Sequence, residues 1–199
     1  MAGRPREFDR DLALVKARDA FWERGYEGVS MSDLVQVMGI ASARIYAAFG
    51  SKENLFREAI ALYEADEGGF AERALAQRAP ARAAIEAMLR DAVLAYTRPG
   101  APQGCMVVSA ATNYSSGNDA INAWLAGHRR ARTDSIIERL RRASQDGELK
   151  ADADVAALGD CYAVLLHGIS VQARDGIGSA RLLAMIAPAM RALDEALAD

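Results

Sequence analysis

The segment from Ser30 to Phe56, SMSDLVQVMGIASARIYAAFGSKENLF, contains two short helical patterns separated by Gly39, and a third helix starts directly after them. Two helices joined by a turn of three or four residues form a helix-turn-helix, whose second helix fits the major groove of DNA. Gly39 fits the turn because glycine readily adopts the left-handed backbone that ends many helices. The segment therefore predicts a DNA-binding unit near the amino terminus.

Small hydroxyl side chains stand where these short helices should begin. Ser30 or Ser32 is expected to cap the first helix, and Ser42 is expected to cap the second. In the second helix, Ile45 and Phe49 are four residues apart, so they share an inward-facing stripe. The remaining side chains of that helix are left to face outward.

Those outward-facing side chains are the predicted DNA contacts. We expect Ser42, Ala43 and Arg44 to face base edges, although Arg44 could instead lie along the DNA backbone. Tyr46 is expected to hold a phosphate. Lys52 falls in the first turn of the next helix, where backbone N–H groups face outward toward an anion, so it is a second phosphate contact.

A basic arm precedes these helices. Arg4, Arg6 and Arg10 are grouped there, and unfolded basic arms can follow a minor groove or a line of phosphates. Acidic residues are interspersed with them, and the whole chain has a net charge of −3. DNA affinity must therefore come from the local placement of charge.

The amino-terminal residues resemble the DNA-binding end of the TetR (tetracycline-repressor-like) family of transcriptional regulators, roughly over residues 10 to 60. The matching features are Phe21, Gly25-Tyr26, Ser30, Leu34, Gly39-Ile40, Ile45-Tyr46, Phe49, Ser51-Lys52-Glu53 and Leu55. The resemblance implies a cytoplasmic homodimer that binds double-stranded operator DNA and is released, or changes its grip, when a small molecule binds. Most such regulators are repressors.

Composition predicts an all-α chain. Of the 199 residues 51% are hydrophobic, helix-forming residues dominate, and runs of β-branched residues are short. We expect an amino-terminal arm and helix-turn-helix domain over residues 1–56 and a helical effector-binding and dimerisation domain over residues 57–199. Two cysteines make no disulfide framework, and no signal peptide or apolar stretch of membrane-spanning length is expected, which favours a cytoplasmic protein.

Apolar spacing and helix-breaking residues predict the helices of both domains. Their expected extents are 9–25, 51–78 with a break at Gly68-Gly69, 80 to just before Pro99, 104–113, 118–147, 152–174 and 179–198. Pro188 should kink or split the last of these, because proline removes a backbone donor.

The last two helices are the predicted dimer interface. Their apolar stripes are Val155, Leu158, Tyr162, Leu165, Leu166 and Ile169, and Leu182, Ile186, Ala189, Leu193 and Leu197. Gly159 and Gly168 would allow close helix packing. The stripes could equally complete the core of a single chain, and the need to reach two operator half-sites favours the dimer.

Ligand pockets of helical bundles form between helices and combine apolar walls with a few polar groups. The candidate effector contacts are Met88, Tyr96, Cys105, Met106, Asn113, Tyr114, Trp124, Tyr162 and His167. Cys105 is expected at a helix start, which favours a reactive thiolate, so release by thiol modification is a second possibility; the alternative is a small buried hydrophobe. Cys161 is interpreted as a packing residue.

The sequence offers no catalytic constellation, so we expect no enzyme, no cofactor and no metal site. His128 and His167 are far apart and lack a metal-ligand spacing, so ordinary helix positions are the simpler interpretation. An activator or dual regulator on the same scaffold remains an alternative to the repressor. A helical enzyme or small-molecule-binding protein is a further alternative.

Overall fold

A computed structural model of the chain describes residues 8–110 and 119–198. These residues fold into helices, and beyond one isolated bridge between Leu149 and Leu197 they contain no β-structure. The helices are α1 (Arg10–Arg24), α2 (Met31–Met38), α3 (Ser42–Phe49), α4 (Lys52–Ala65), a 3-10 turn (Glu67–Gly69), α5 (Phe70–Leu75), α6 (Ala81–Tyr96), α7 (Met106–Ser109), α8 (Asp119–Gln145), α9 (Val155–Arg174), α10 (Ser179–Ala184) and α11 (Ile186–Asp194). The predicted all-α fold is confirmed.

The helix-turn-helix lies in α2 and α3, and its turn has the predicted chemistry. Gly39 ends α2 with a φ of 72°. Ser30 is the cap of α2: its Oγ accepts from the Asp33 N–H at 3.1 Å, and the Asp33 carboxylate accepts from the Ser30 N–H at 2.8 Å. This reciprocal capping box satisfies two backbone donors that the helix itself leaves unpaired.

The predicted cap of α3 is wrong by one residue. Ala41 occupies the cap position, where its carbonyl accepts from the Ile45 N–H at 3.2 Å, and Ser42 is the first helical residue. Burial of Ile45 and Phe49 fixes the placement of α3. Burying such side chains is worth roughly 1.5–3 kcal/mol each, against about 1 kcal/mol for a side-chain cap, so packing decides where the helix begins.

The break predicted at Gly68-Gly69 occurs earlier in the chain. α4 ends at Ala65, and Asp66 leaves the helical backbone with φ −112° and ψ −95°. The glycines serve packing instead, since a Cβ on Gly68 would lie 2.5 Å from the Tyr63 ring. α4 also runs without interruption across the domain boundary that we place between residues 56 and 57, so that boundary stays a prediction.

The carboxy-terminal helices follow the expected order with two adjustments. α7 covers only four residues of the expected 104–113 helix, and Asn118, the expected cap of α8, lies outside the described residues. The last helix is split at Met185, as the proline predicted. Pro188 itself is the third residue of α11, in the first turn, where a helix needs no backbone donor.

The apolar stripes of the last two predicted helices lie mainly in the core of this chain. Their most buried members are Tyr162, Leu166, Ile169, Leu182, Ile186 and Leu193. Gly159 permits the close packing of α9 on α8, because a Cβ there would lie 2.3 Å from Ile137. The core alternative therefore holds for these stripes.

The outer face of α9 is a different set of residues. Cys161 is exposed, so its interpretation as a packing residue is wrong. Nothing lies within 4 Å of a Cβ built on Gly168. Contrary to the sequence expectation, α9 is long and apolar enough to cross a membrane, by length and composition alone.

The capping box of α2 generates a test that uses the two serines considered as its cap. Ser30 is the main cause that lowers the pKa of Asp33, from 3.8 to about 2, followed by the Ser30 backbone N–H and Arg24. Ser30→Ala should raise the Asp33 pKa toward 3.8, as read by a carboxyl NMR titration. It should also cost about 1 kcal/mol of unfolding free energy at neutral pH.

Ser32→Ala, on the exposed side of the same helix, should change neither quantity. Because the folded-state pKa of Asp33 lies below its unfolded value, the stabilisation is complete above the unfolded pKa and is lost as the pH falls through about 2. The difference between wild type and Ser30→Ala should shrink in that acid range. An Asp33 pKa that is equal in both proteins would contradict the capping role.

Candidate nucleic-acid interface and effector pocket

The outward face of α3 is exposed as the sequence predicted. Ser42, Ala43 and Arg44 are all exposed, and Tyr46 exposes 48% of its surface. On the opposite side Ile45 is buried in the core. The helix therefore presents a short polar and aromatic surface from a rigidly packed base, which is the geometry of a recognition helix.

Lys52 lies at the beginning of α4, next to this surface. Ser51 caps the helix as expected, its Oγ accepting from the Asn54 N–H at 3.0 Å. The Lys52 ammonium sits 4.3 Å from the centre of the Tyr26 ring, a cation–π contact that orients it. Partial burial lowers the pKa of Lys52, and Glu27 opposes that change.

The acidic side chains around this surface have cationic partners. Arg57 bonds Glu53 at 2.8 Å within α4, and Arg24 bonds Asp33 at 3.0 Å between α1 and α2. Pairing reduces the repulsion that these carboxylates would exert on a phosphate. The surface is thus compatible with an anionic partner although the chain as a whole is acidic.

The basic arm divides between two situations. Arg4 and Arg6 lie outside the described residues. Arg10 acts in the fold, since its guanidinium bonds Glu58 at 2.7 Å and lies 4.3 Å from the Phe49 ring centre. Those contacts fix α1 against α3 and α4. Arg10 therefore belongs to the folded domain, whereas the sequence predicted it to lie in an unfolded arm.

A partly enclosed pocket lies in the carboxy-terminal domain, against the inner side of α4. Its cavity volume is about 30 Å³, within an empty space of about 400 Å³ that includes its opening to solvent. The residues that line it are Tyr63, Glu64, Gly68, Phe70, Tyr96, Cys105, Val107, Val108, His128, Arg129, Arg132, Leu166 and His167. Side chains from α4, α5, α6, α7, α8 and α9 therefore meet at one point.

Three of the effector contacts predicted from the sequence lie in this wall. Tyr96, Cys105 and His167 line the pocket. Four other candidates, Met88, Met106, Trp124 and Tyr162, pack elsewhere: the Tyr162 hydroxyl, for example, donates to the Ala189 carbonyl at 3.2 Å. Asn113 and Tyr114 lie outside the described residues.

The basic residues of α8 were missed. His128, Arg129 and Arg132 line the pocket from one side of that helix. They lie within the sequence HRRAR, which is typical of a charged helix segment exposed to solvent. Their spacing of one, three and four residues was the available signal, because residues three and four apart share a helix face.

Cys105 caps the short α7 and is buried, with its thiol within hydrogen-bond reach of the Tyr63 and Tyr96 hydroxyls. Burial, and then the proximity of this cysteine, raises the pKa of both tyrosines well above 10. Both phenols therefore remain protonated hydrogen-bond donors at neutral pH.

The peptide unit between Gly104 and Cys105 is clamped from two sides. The Trp22 indole N–H of α1 donates to the Gly104 carbonyl at 2.9 Å, and the Cys105 N–H donates to Ser170 Oγ of α9 at 2.8 Å. Both hydrogen bonds are buried, and losing a buried partner costs about 1–3 kcal/mol. This peptide links the DNA-binding end of the chain directly to the pocket wall.

An amino-terminal helix-turn-helix on a larger helical body defines the class of helix-turn-helix transcriptional regulators. Residues 13–59 match the family described as "Bacterial regulatory proteins, tetR family", and residues 79–177 match "Tetracyclin repressor-like, C-terminal domain". The chain belongs to the TetR family of DNA-binding transcriptional regulators.

Individual relatives agree with this assignment. The HTH-type transcriptional repressor ComR of Escherichia coli (strain K12) is 31% identical over 193 residues, which cover 95% of this chain and 90% of ComR. The repressor BdcR of the same organism is 27% identical over 197 residues, 99% of this chain and 95% of BdcR. A cysteine-substituted variant of the TetR family regulator CifR, solved with 26bp double-strand operator DNA, is 43% identical with a TM-score of 0.90, covering 95% of this chain and 98% of that one.

The Gly104 clamp generates a test with a matched control in the same loop. Gly104 and Gly100 both have positive φ, 74° and 76°. A Cβ at Gly104 would lie 2.7 Å from the Ser170 carbonyl oxygen, whereas nothing lies within 4 Å of one at Gly100. Gly100→Ala should cost about 1–2 kcal/mol from backbone strain alone, and Gly104→Ala about 1–3 kcal/mol more from the clash.

Urea unfolding of the two variants measures the difference, which is meaningful if the slope of free energy against urea is the same for both. Equal losses would show that the contact with α9 is not tight.

Proposed function

We propose that the chain is a homodimeric repressor that binds operator DNA through α3 and is released when an effector occupies the pocket of its carboxy-terminal domain. The observation that carries the proposal is the exposed face of α3, held by buried Ile45 and flanked by the Ser51-capped start of α4. The operator DNA bound by the CifR variant supports it from a relative. A protein with this role works in the cytoplasm.

The proposed DNA contacts form two groups, those to base edges and those to phosphates. Ser42, Ala43 and Arg44, at the beginning of the recognition helix, face base edges and give sequence preference. Tyr46 and Lys52 hold phosphates and fix the register of the helix in the groove. Lys52 is suited to this because its contact with the Tyr26 ring holds the ammonium in position beforehand. Arg4 and Arg6 would add contacts from the arm, in the minor groove or along phosphates.

Substitution of the two cations should separate these roles. Lys52→Ala should weaken binding to every DNA sequence and reduce the salt slope, log Kd against log salt, by about one, since one phosphate contact is lost. Arg44→Ala should relax the preference at one base position. The measurement is a mobility-shift titration at several salt concentrations, with fragments from the neighbourhood of the gene and single-base variants of the bound site.

Lys150→Ala is the matched control, since it removes the same charge from a loop of the carboxy-terminal domain. It should leave affinity and salt slope unchanged. A Lys52 variant with the wild-type slope would remove Lys52 from the phosphate contacts. Failure of the wild-type protein to retain any fragment at low ionic strength would defeat the proposal as a whole.

The homodimer would form through α9 and the final helices, on a face distinct from the buried stripes. Exposed small and apolar residues recur on α9 at intervals of four and three: Ala157, Cys161, Val164, Gly168 and Val171. Val164 alone exposes 69% of its surface. This spacing is that of a helix seam packed against another helix. A second copy of the chain would cover it and double the number of recognition helices, which two operator half-sites require.

A charge placed on this seam should separate the subunits. Val164→Glu is expected to yield monomers by sedimentation velocity, and to weaken operator binding because two half-sites are no longer engaged together. Leu94→Glu is the control: Leu94 is an exposed apolar side chain of α6, 57% accessible, and the substitution adds the same charge away from the seam. Dimers of undiminished stability in the Val164 variant would place the interface elsewhere.

Release would be transmitted through the elements that the pocket shares with the DNA-binding domain. Tyr63 of α4 lines the pocket, and its ring lies 4.7 Å from that of Trp22 in α1. A small effector, or modification of the Cys105 thiol, would act on this same contact and on the clamped peptide beside it. The resulting shift of α4 would change the separation of the two α3 helices in the dimer.

A further inference from the structure

We propose that the effector of this pocket is a small organic acid whose carboxylate is bound by Arg129, with its apolar part against the hydrophobic wall. The inference rests on the proposed function, since it names the chemical class of the effector. It is carried by an arginine of the pocket wall that has no carboxylate within 4 Å among the described residues.

Of the two described arginines that line the pocket, Arg129 is the one without an acidic partner within 4 Å. Its guanidinium lines the pocket and, among the residues that the structure describes, donates to the Val107 carbonyl alone, at a long 3.4 Å. No carboxylate of residues 8–110 and 119–198 lies within 4 Å of it. Burial, followed by the charge of Arg130, lowers the pKa of Arg129. A guanidinium stays charged in a protein, so its partial burial costs desolvation free energy. A bound anion would offset that cost.

The acids that do line or border the pocket are already engaged. The Glu64 carboxylate accepts from His128 Nδ1 at 2.9 Å, and Glu72 forms an ion pair with Arg132. Neither carboxylate is therefore available to Arg129. Arg132 therefore has a carboxylate at its guanidinium, whereas Arg129 has none within 4 Å among the residues that the structure describes.

His167 lines the same pocket from α9 and is affected by both arginines. Burial, then the charges of Arg129 and Arg132, lowers its pKa below 6.5. The imidazole is therefore neutral at pH 7 and can donate one hydrogen bond to a ligand oxygen. The tyrosine hydroxyls of Tyr63 and Tyr96 add two more protonated groups to this wall. A wall rich in donors and poor in unengaged acceptors suits a carboxylate rather than an amine.

The remaining wall sets the shape of the other end of the ligand. Phe70, Val107, Val108 and Leu166 are apolar and line the same pocket. A ligand with one carboxylate and a compact aromatic or branched aliphatic body satisfies both ends. The enclosed cavity of about 30 Å³ is part of a space of about 400 Å³ that opens to solvent, so full enclosure of such a body requires side chains to move outward.

Pairs of acids and their isosteric amides test the assignment directly. Isobutyrate and isobutyramide, benzoate and benzamide, and phenylacetate and phenylacetamide differ in charge but little in shape. In calorimetric titrations at constant ionic strength, at least one acid should bind about tenfold or more tightly than its amide, as expected for a hydrogen bond to a charged group. The same acid should release operator DNA in a fluorescence anisotropy assay, and its amide should not.

Variants of two neighbouring arginines identify the group responsible. Arg129→Gln should abolish the preference for the acid, and Arg129→Lys should retain part of it. Arg130→Gln removes the same charge from the adjacent exposed position and should leave the preference unchanged. Circular dichroism melting curves confirm that each variant is folded.

Equal affinity for acid and amide, absence of binding by every acid at millimolar concentration, or an equal loss in the Arg129 and Arg130 variants would overturn the proposal. Operator binding is measured without any acid, so a failure there counts against the proposed function alone. Acid binding without DNA binding would leave the pocket assignment standing and remove its regulatory role.

Discussion

The buried peptide between Gly104 and Cys105 is the contact on which the link between the two ends of the molecule depends. Its carbonyl accepts from Trp22 of α1 and its N–H donates to Ser170 of α9, both within the core. Neither partner can move away without leaving a buried polar group unpaired. The side chain of Cys105 lines the pocket, so the pocket wall is covalently continuous with the peptide that holds α1.

The sequence predicted the local features of the DNA-binding end because they depend on neighbouring residues. Gly39 ends α2 in the left-handed conformation, and Ser30 caps it together with Asp33. Ser51 caps α4 through its side chain alone, which accepts from the Asn54 N–H. Ser42 shows the limit of such reasoning. It was a plausible cap, but burial of Ile45 and Phe49 places the beginning of α3 at Ser42 itself, and that burial depends on tertiary packing.

The pocket could not be assembled from the sequence, because its walls come from residues up to about a hundred positions apart. Tyr96, Cys105 and His167 were predicted on chemical type alone, and nothing in their spacing distinguished them from Met88 or Tyr162, which pack elsewhere. A buried aromatic residue and a pocket-lining one have the same helical pattern. The distinction lies in which neighbouring helices leave space, and that is set by long-range packing.

The small size of the cavity bears on how an effector could act. An equilibrium between two conformations shifts only by the difference in ligand affinity between them. The enclosed cavity of about 30 Å³ has room for only a few water molecules, so the form described here cannot fully enclose an organic ligand. An effector must therefore bind a wider form, and widening requires displacement of α4, α7, α8 or α9. Because only Gly50 and Ser51 separate α4 from the recognition helix, and α7 follows the peptide held by α1, expansion on these sides would be transmitted to the DNA-binding helices.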